Sequence, residues 1–191
     1  NMISDIVVNV VIACIMSCTN FRFFKRQNSA TLKIELQNDQ LKMLSEIDQL
    51  TGLYNRRKIN ELFESSHEDK FNTSILFDID NFKRINDTYG HLVGDDILIK
   101  MGEIVKKTVG KNDIVIRWGG EEFLIFTSLN RNLAETLRRK IEATKFTQNI
   151  YISASFGVAH RADYESITEL LRALDKKLYK AKSSGKNCVI Y

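Results

Sequence analysis

The feature that most narrows the possible folds is a hairpin in the middle of the chain. Asp113–Trp118 and Glu122–Thr127 are short runs rich in Val, Ile, Leu and Phe, and Gly119-Gly120 stands between them. Paired glycines at that spacing read as a tight turn joining two antiparallel strands. Upstream, TSILFDID (73–80) is a β-compatible apolar run ending in acids, and 97–109 places Ile97, Leu98, Met101, Ile104, Val105 and Val109 on one helical face. Downstream, the periodicity predicts a helix over 131–145, a strand over 150–156, a helix over 167–182 and a last strand over 187–191. That order is a ferredoxin-like βαββαβ core of the α+β class, with an extra C-terminal helix and strand. Before it, TGLYNRR (51–57) makes a glycine turn and opens a helix through Lys58–Phe63.

A chain of 191 residues is long enough to bury such a core without disulfide or metal staples. Its three cysteines, Cys14, Cys18 and Cys188, show no CxxC spacing and argue against a disulfide framework or a zinc site. Twenty-eight basic residues against 24 acidic ones leave a net charge of +4, far from the charge density of a nucleic-acid binder, so no nucleic-acid partner is expected. Proline is absent, which excludes PxxP ligands and stiff proline linkers.

The N-terminus has a different character. From Ile6 to Phe21 no residue is charged, and Arg22, Lys25 and Arg26 follow directly. A membrane span needs about 20 apolar residues, so this run is short. Its basic flank follows the run, unlike that of a signal peptide. Residues 1–25 are read as the end of a transmembrane helix whose C-terminal side faces the cytoplasm. Residues 26–47 carry apolar positions at helical spacing with no sustained heptad frame, and read as a helical linker. The globular domain then occupies 48–191.

Two places carry carboxylates that folding alone does not require. In Phe77-Asp78-Ile79-Asp80, strand alternation sends both acids to one face. Acids at the end of an apolar strand suit a hard divalent cation, although Asp80 also reads as the cap of a helix starting near Asn81. In RWGGEEF (117–123), an acidic pair follows the glycines, and the hairpin is expected beside the first strand, where Glu121 faces Asp78. Two such carboxylates can hold one or two Mg²⁺ ions against nucleotide phosphates. Between these motifs, Lys83 lies one turn past the acidic strand end, within reach of a phosphate. Asn86 and Asp95 have the chemistry to read a base edge, a carboxylate matching the adjacent N–H donors of guanine. Lys182 and Lys186 flank a glycine at a helix C-terminus, where basic residues also suit the helix dipole.

In this order the pieces resemble the GGDEF-domain family of diguanylate cyclases. The matching stretches are DQLTGLYNRR (48–57), FDIDNFKRINDTYGHLVGDDIL (77–98), RWGGEEF (117–123), SFGVA (155–159) and LDKKLYKAKSSGKN (174–187). The resemblance implies a nucleotide-cyclase or polymerase-palm-like fold, and an enzyme that condenses two GTP into cyclic di-GMP with release of two pyrophosphates. It implies Asp78, the Ile79 carbonyl, Glu121 and Glu122 as ligands of two Mg²⁺ ions, with Mn²⁺ as a substitute. Glu121 would help deprotonate the attacking 3′-hydroxyl and Lys83 would stabilise the phosphates. Asn86, His91 and Asp95 would contact the nucleotide, and Lys182 and Lys186 would hold its distal phosphates. One domain holds one GTP, so a homodimer is implied, tethered at the inner membrane of a bacterium with the catalytic domain in the cytoplasm. The alternative is a non-catalytic domain that binds GTP or a cyclic dinucleotide. One departure stands out: where the family's RxxD product-inhibition motif places Arg, this chain has Gly110, with Asp113 retained.

Overall fold

A computed structural model describes residues 46–59, 62, 71–128 and 132–191, together with Met16, Asn20–Arg22, Phe24, Lys25 and Gln37. The chain divides into two units, 1–45 and 46–191. Most of the anchor and linker assigned from sequence therefore lies outside the described residues. Among the described residues, no helix is long and apolar enough to cross a membrane.

The second unit is built on a six-stranded sheet. Its strands are β1 (Tyr54–Asn55), β2 (Thr73–Ile79), β3 (Ile114–Arg117), β4 (Glu122–Thr127), β5 (Ala154–His160) and β6 (Val189–Ile190). They lie in the order β1-β3-β4-β2-β5-β6. The inner four, β3-β4-β2-β5, are antiparallel neighbours and reproduce the expected ferredoxin-like core, while β1 and β6 add parallel edges. Among the described residues, the helices that connect and cover them include α1 (Phe82–Tyr89), α2 (His91–Lys106), α3 (Asn132–Ala143) and α4 (Ile167–Ser183).

β2 is buried along its whole length, which explains its unbroken apolar run. Side chains alternate across it. Ile75, Phe77 and Ile79 join the core beneath α1, α2 and α3, whereas Leu76 joins the second core with Leu170, Leu174 and Leu178 of α4. Phe77 stacks on Phe123 of β4 and Phe156 of β5, with centroids 5.0 and 4.9 Å apart. Asp78 shares the face of Leu76, so it points toward α4. That helix starts at Ser166, whose side chain accepts from the Glu169 N–H at 3.2 Å, a local stop-and-start signal legible in S-x-x-E. It packs so closely on β5 that a Cβ at Gly157 would lie 2.6 Å from the Leu174 carbonyl oxygen.

The strand expected over 150–156 forms instead at 154–160. β5 pairs with β2 from Thr73↔His160 to Ile79↔Ala154, so the length of β2 sets its limits, and residues 150–153 run past the end of their partner. The helix expected from 97 begins at His91, and a separate α1 precedes it across Gly90, whose φ is 87°. The helix after TGLYNRR is seen at Lys58, Ile59 and Leu62.

Candidate active site

The site forms where β2 ends beside the β3–β4 hairpin and the C-terminal end of α4. Asp78 stands opposite Glu122 in the β2–β4 register, and the Ile79 N–H donates to the Glu121 carbonyl at 3.3 Å. The expected partner of Asp78 across the sheet was Glu121. The register instead makes Glu122 its direct neighbour, with Glu121 one step further at the turn. From α4, the Lys182 ammonium reaches Asp78 Oδ2 at 2.7 Å.

These neighbours set the electrostatics. Burial pushes the Asp78 carboxyl up to about 6; Lys182 opposes that shift, and the negative charges of Glu121 and Glu122 add to it. Burial likewise raises Glu122, against the pull of Lys182 and with Asp175 and Glu121 adding repulsion. Excess negative charge held in a dry corner is the environment a cation relieves. Among the described residues, no three His, Cys, Asp or Glu side chains converge closely enough to hold a metal by themselves. The donor set available is Asp78, Glu121, Glu122 and the Ile79 carbonyl, all hard oxygens, and its chemistry fits a divalent ion with further ligands from phosphate or water.

The hairpin is held from behind. Arg117 Nη1 donates to both carboxylate oxygens of Asp48 at 3.1 Å, while its Nε and Nη2 donate to the Gly120 carbonyl at 3.1 and 2.8 Å. Asp48 also accepts from the N–H and hydroxyl of Thr51. Burial alone would raise its carboxyl, but the Thr51 hydrogen bonds and the Arg117 charge hold it below the usual range. Arg56 lies over the Trp118 ring at 4.3 Å. The sequence showed Asp48 and Arg117 only as parts of motifs. The Asp48–Thr51 turn has a local signal in its spacing, whereas the pairing across 69 residues has none.

Asn86 occupies the seam between α1 and α2. Its Oδ1 is buried without a hydrogen-bond partner, and a Cβ at Gly94 would lie 1.9 Å from it. The glycine thus provides the cradle in which the carboxamide rests. His91 and Asp95 lie nearby in the chain at the start of α2, and Lys83 is exposed on α1. Among the described residues, the partner of Asp78 by ion pair is Lys182, and Lys83, His91 and Asp95 make no such contact with the acidic cluster. Lys186 Nζ donates to Asn81 Oδ1 at the start of α1.

Asp80 does not cap α1. Its carboxylate accepts from the hydroxyls of Ser153 and Ser155, both at 2.6 Å, and from the Asn187 N–H at 3.0 Å. At its own N-cap position, Asn81 makes no side-chain capping bond.

A family model described as "Diguanylate cyclase, GGDEF domain" matches residues 45–188. The chain belongs to the GGDEF family. Diguanylate cyclase DgcM of Escherichia coli is 36% identical over 162 residues, covering 80% of this chain and 40% of that protein. Diguanylate cyclase VdcA of Vibrio cholerae is 35% identical over 187 residues, covering 90% of this chain and 55% of that protein. This GGDEF chain therefore spans about half the length of those curated relatives. Among solved structures, the coiled coil and GGDEF domain of DgcB from Caulobacter crescentus superposes with a TM-score of 0.75 at 23% identity, over 87% of this chain and 96% of that one. That likeness shows that the fold is shared.

Proposed function

We propose that this GGDEF domain is a diguanylate cyclase that joins two GTP into cyclic di-GMP and releases two pyrophosphates. The observation that carries the reading is the juxtaposition of Asp78, Glu121 and Glu122 with Lys182 at the end of β2. It is supported by two relatives named as diguanylate cyclases at 36% and 35% identity.

In each of two transfers, a 3′-hydroxyl oxygen bonds to the α-phosphorus of the other nucleotide, and the bond to the β-phosphate bridging oxygen breaks. Pyrophosphate leaves with that electron pair, and the hydroxyl proton passes toward Glu121. Such a transfer depends on alignment and charge neutralisation more than on covalent chemistry. Asp78, Glu121, Glu122 and the Ile79 carbonyl would hold two Mg²⁺, or Mn²⁺, and the bound ions supply charge neutralisation at the triphosphate. Lys182, released from Asp78, and Lys186 bind the distal phosphates. Lys83 adds positive charge to the phosphates, and Asn86, His91 and Asp95 contact the nucleotide, with Asn86 and Asp95 reading guanine. Each domain binds one GTP, so two domains must face each other. In this reading residues 1–25 tether the domain to a bacterial inner membrane, with the domain in the cytoplasm.

The test is incubation with GTP and Mg²⁺ followed by product chromatography over a range of protein concentrations. Cyclic di-GMP should form, with specific activity rising with concentration. Glu121→Gln should abolish turnover while GTP still binds. GTP binding without product at any concentration would favour the non-catalytic alternative.

A further inference from the structure

The chain between α4 and β6 is held in a conformation that the turn itself does not require. Gly185, at φ 107°, already provides the glycine expected after a helix end. Yet Lys186 and Asn187 follow at φ 64° and 47°, in the left-handed region that asparagine enters readily and lysine rarely does. Such backbone persists where its surroundings over-determine it, and here they do. The Asn187 N–H donates to Asp80, its Oδ1 accepts from Arg138 Nη1 at 2.9 Å, and its Nδ2 donates to Glu142 Oε1 at 2.7 Å. Arg138 is itself fixed by Glu135 and Glu142 on α3. Asp80 is buried at the end of β2 and anchored by Ser153 and Ser155. Every polar group of the Asn187 side chain is thus committed to α3, and its backbone is tied to β2.

The two lysines assigned to the triphosphate, Lys182 and Lys186, both precede this anchor in the chain, and their partners lie on either side of Asp80. Lys182 reaches Asp78, two residues before Asp80, and Lys186 reaches Asn81, one residue after it. We infer that Asn187, clamped between Asp80 and the Arg138–Glu142 pair, is a positioning residue that aims Lys182 and Lys186 at the distal phosphates of the substrate. The inference rests on the cyclase reading for the identity of those phosphates. It gives α3, through Arg138 and Glu142, a role in substrate affinity.

The test compares binding of 3′-deoxy-GTP, which lacks the attacking hydroxyl, with binding of GMP, which lacks the distal phosphates. Three variants are measured with the wild type: Asn187→Gly, Glu142→Ala and the double variant Lys182→Ala/Lys186→Ala. Glycine removes the side-chain ties while easing the positive φ, so the variant should fold. The expected result for Asn187→Gly is a loss of about 3- to 10-fold in triphosphate affinity with GMP affinity unchanged, and a smaller loss of the same kind for Glu142→Ala. In turnover, the same variants should raise KM for GTP more than they lower kcat. The inference is overturned if Asn187→Gly keeps the wild-type ratio of affinities while the double lysine variant loses it. It is overturned equally if both ligands weaken together, which marks a purely structural role. If the double lysine variant also keeps the ratio, the assignment of the lysines to the triphosphate fails first, and the inference with it.

Discussion

Gly94→Ala tests the seat of Asn86 directly. The added methyl would stand 1.9 Å from Asn86 Oδ1, 3.0 Å from its Cγ and 3.2 Å from Phe82 Cζ. No pair of carbons and oxygens tolerates the first distance, so one group must move. The backbone of α2 is fixed by a continuous buried face running from Val93 to Val105, whereas the Asn86 carboxamide can rotate. If the side chain swings out, the cost in stability stays at the lower end of the ~1–3 kcal/mol typical of overpacking. The loss then falls on the nucleotide. A neutral hydrogen bond contributes about 0.5–1.5 kcal/mol, which corresponds to roughly a 2- to 12-fold rise in Kd for GTP. Selectivity for GTP over ATP should fall by a similar factor, and phosphate-dependent affinity should not change. The decisive assay is a double-mutant cycle with Asn86→Ala, read by nucleotide binding and thermal unfolding. In the double variant the clash disappears, so stability should recover while affinity matches that of Asn86→Ala alone. Wild-type GTP affinity and selectivity in Gly94→Ala, or losses that add independently in the double variant, would refute the placement of Asn86 as the base reader.

Other outcomes follow from the same geometry. Asp48→Asn should destabilise the domain by ~1–3 kcal/mol at neutral pH and reduce turnover, because Arg117 then grips the hairpin without its counter-charge. The Asp48 carboxyl is depressed in the fold, so its stabilisation is present above the unfolded value and is lost as pH falls; equal penalties in urea melts at pH 3 and 7 would contradict this. For Asp78 the sign reverses. Its carboxyl sits at about 6 against a reference of 3.8, so stability declines as pH rises from about 4 to about 6, by at most ~3 kcal/mol, and then levels. In protein freed of divalent ions, Asp78→Asn should therefore stabilise above pH 6 and have no effect near pH 3; a uniform effect would reject the argument. Product inhibition through the Gly110–Asp113 corner should be weak, because Asp113 Oδ2 is occupied by the Gly110 N–H at 2.7 Å and the Thr127 hydroxyl at 2.8 Å, and position 110 carries no arginine side chain. Sub-micromolar inhibition by cyclic di-GMP that Asp113→Ala removes would overturn that expectation.

The order of elements was legible because each depends on local periodicity. The apolar runs of β2 and β4, the Gly119-Gly120 turn and the stripe of α2 declare themselves within a window of a dozen residues. The site residues were legible for a related reason: carboxylates beside an apolar strand end and a glycine pair stand out against a sequence built for burial. Their roles came from the family resemblance, and the structure places Asp78, Glu121, Glu122 and Lys182 together. Strand limits were less legible, since β5 stops and starts where β2 gives it partners.

By itself, then, the sequence determined the α+β class, the order of the four core strands and the helices between them apart from α1, and which side chains carry charge into a buried corner, but not the edge strand β1. Only the tertiary structure decided which of those side chains meet. The register of β2 on β4 chose Glu122 as the neighbour of Asp78, and long-range hydrogen bonds gave Asp80 to Ser153, Ser155 and Asn187. The physical reason is distance along the chain. A cap or a turn is fixed by residues three or four apart, whereas Arg117–Asp48 and Asp80–Asn187 join positions 69 and 107 apart. Such pairs exist only after two separate cores have closed on the sheet and brought its ends together.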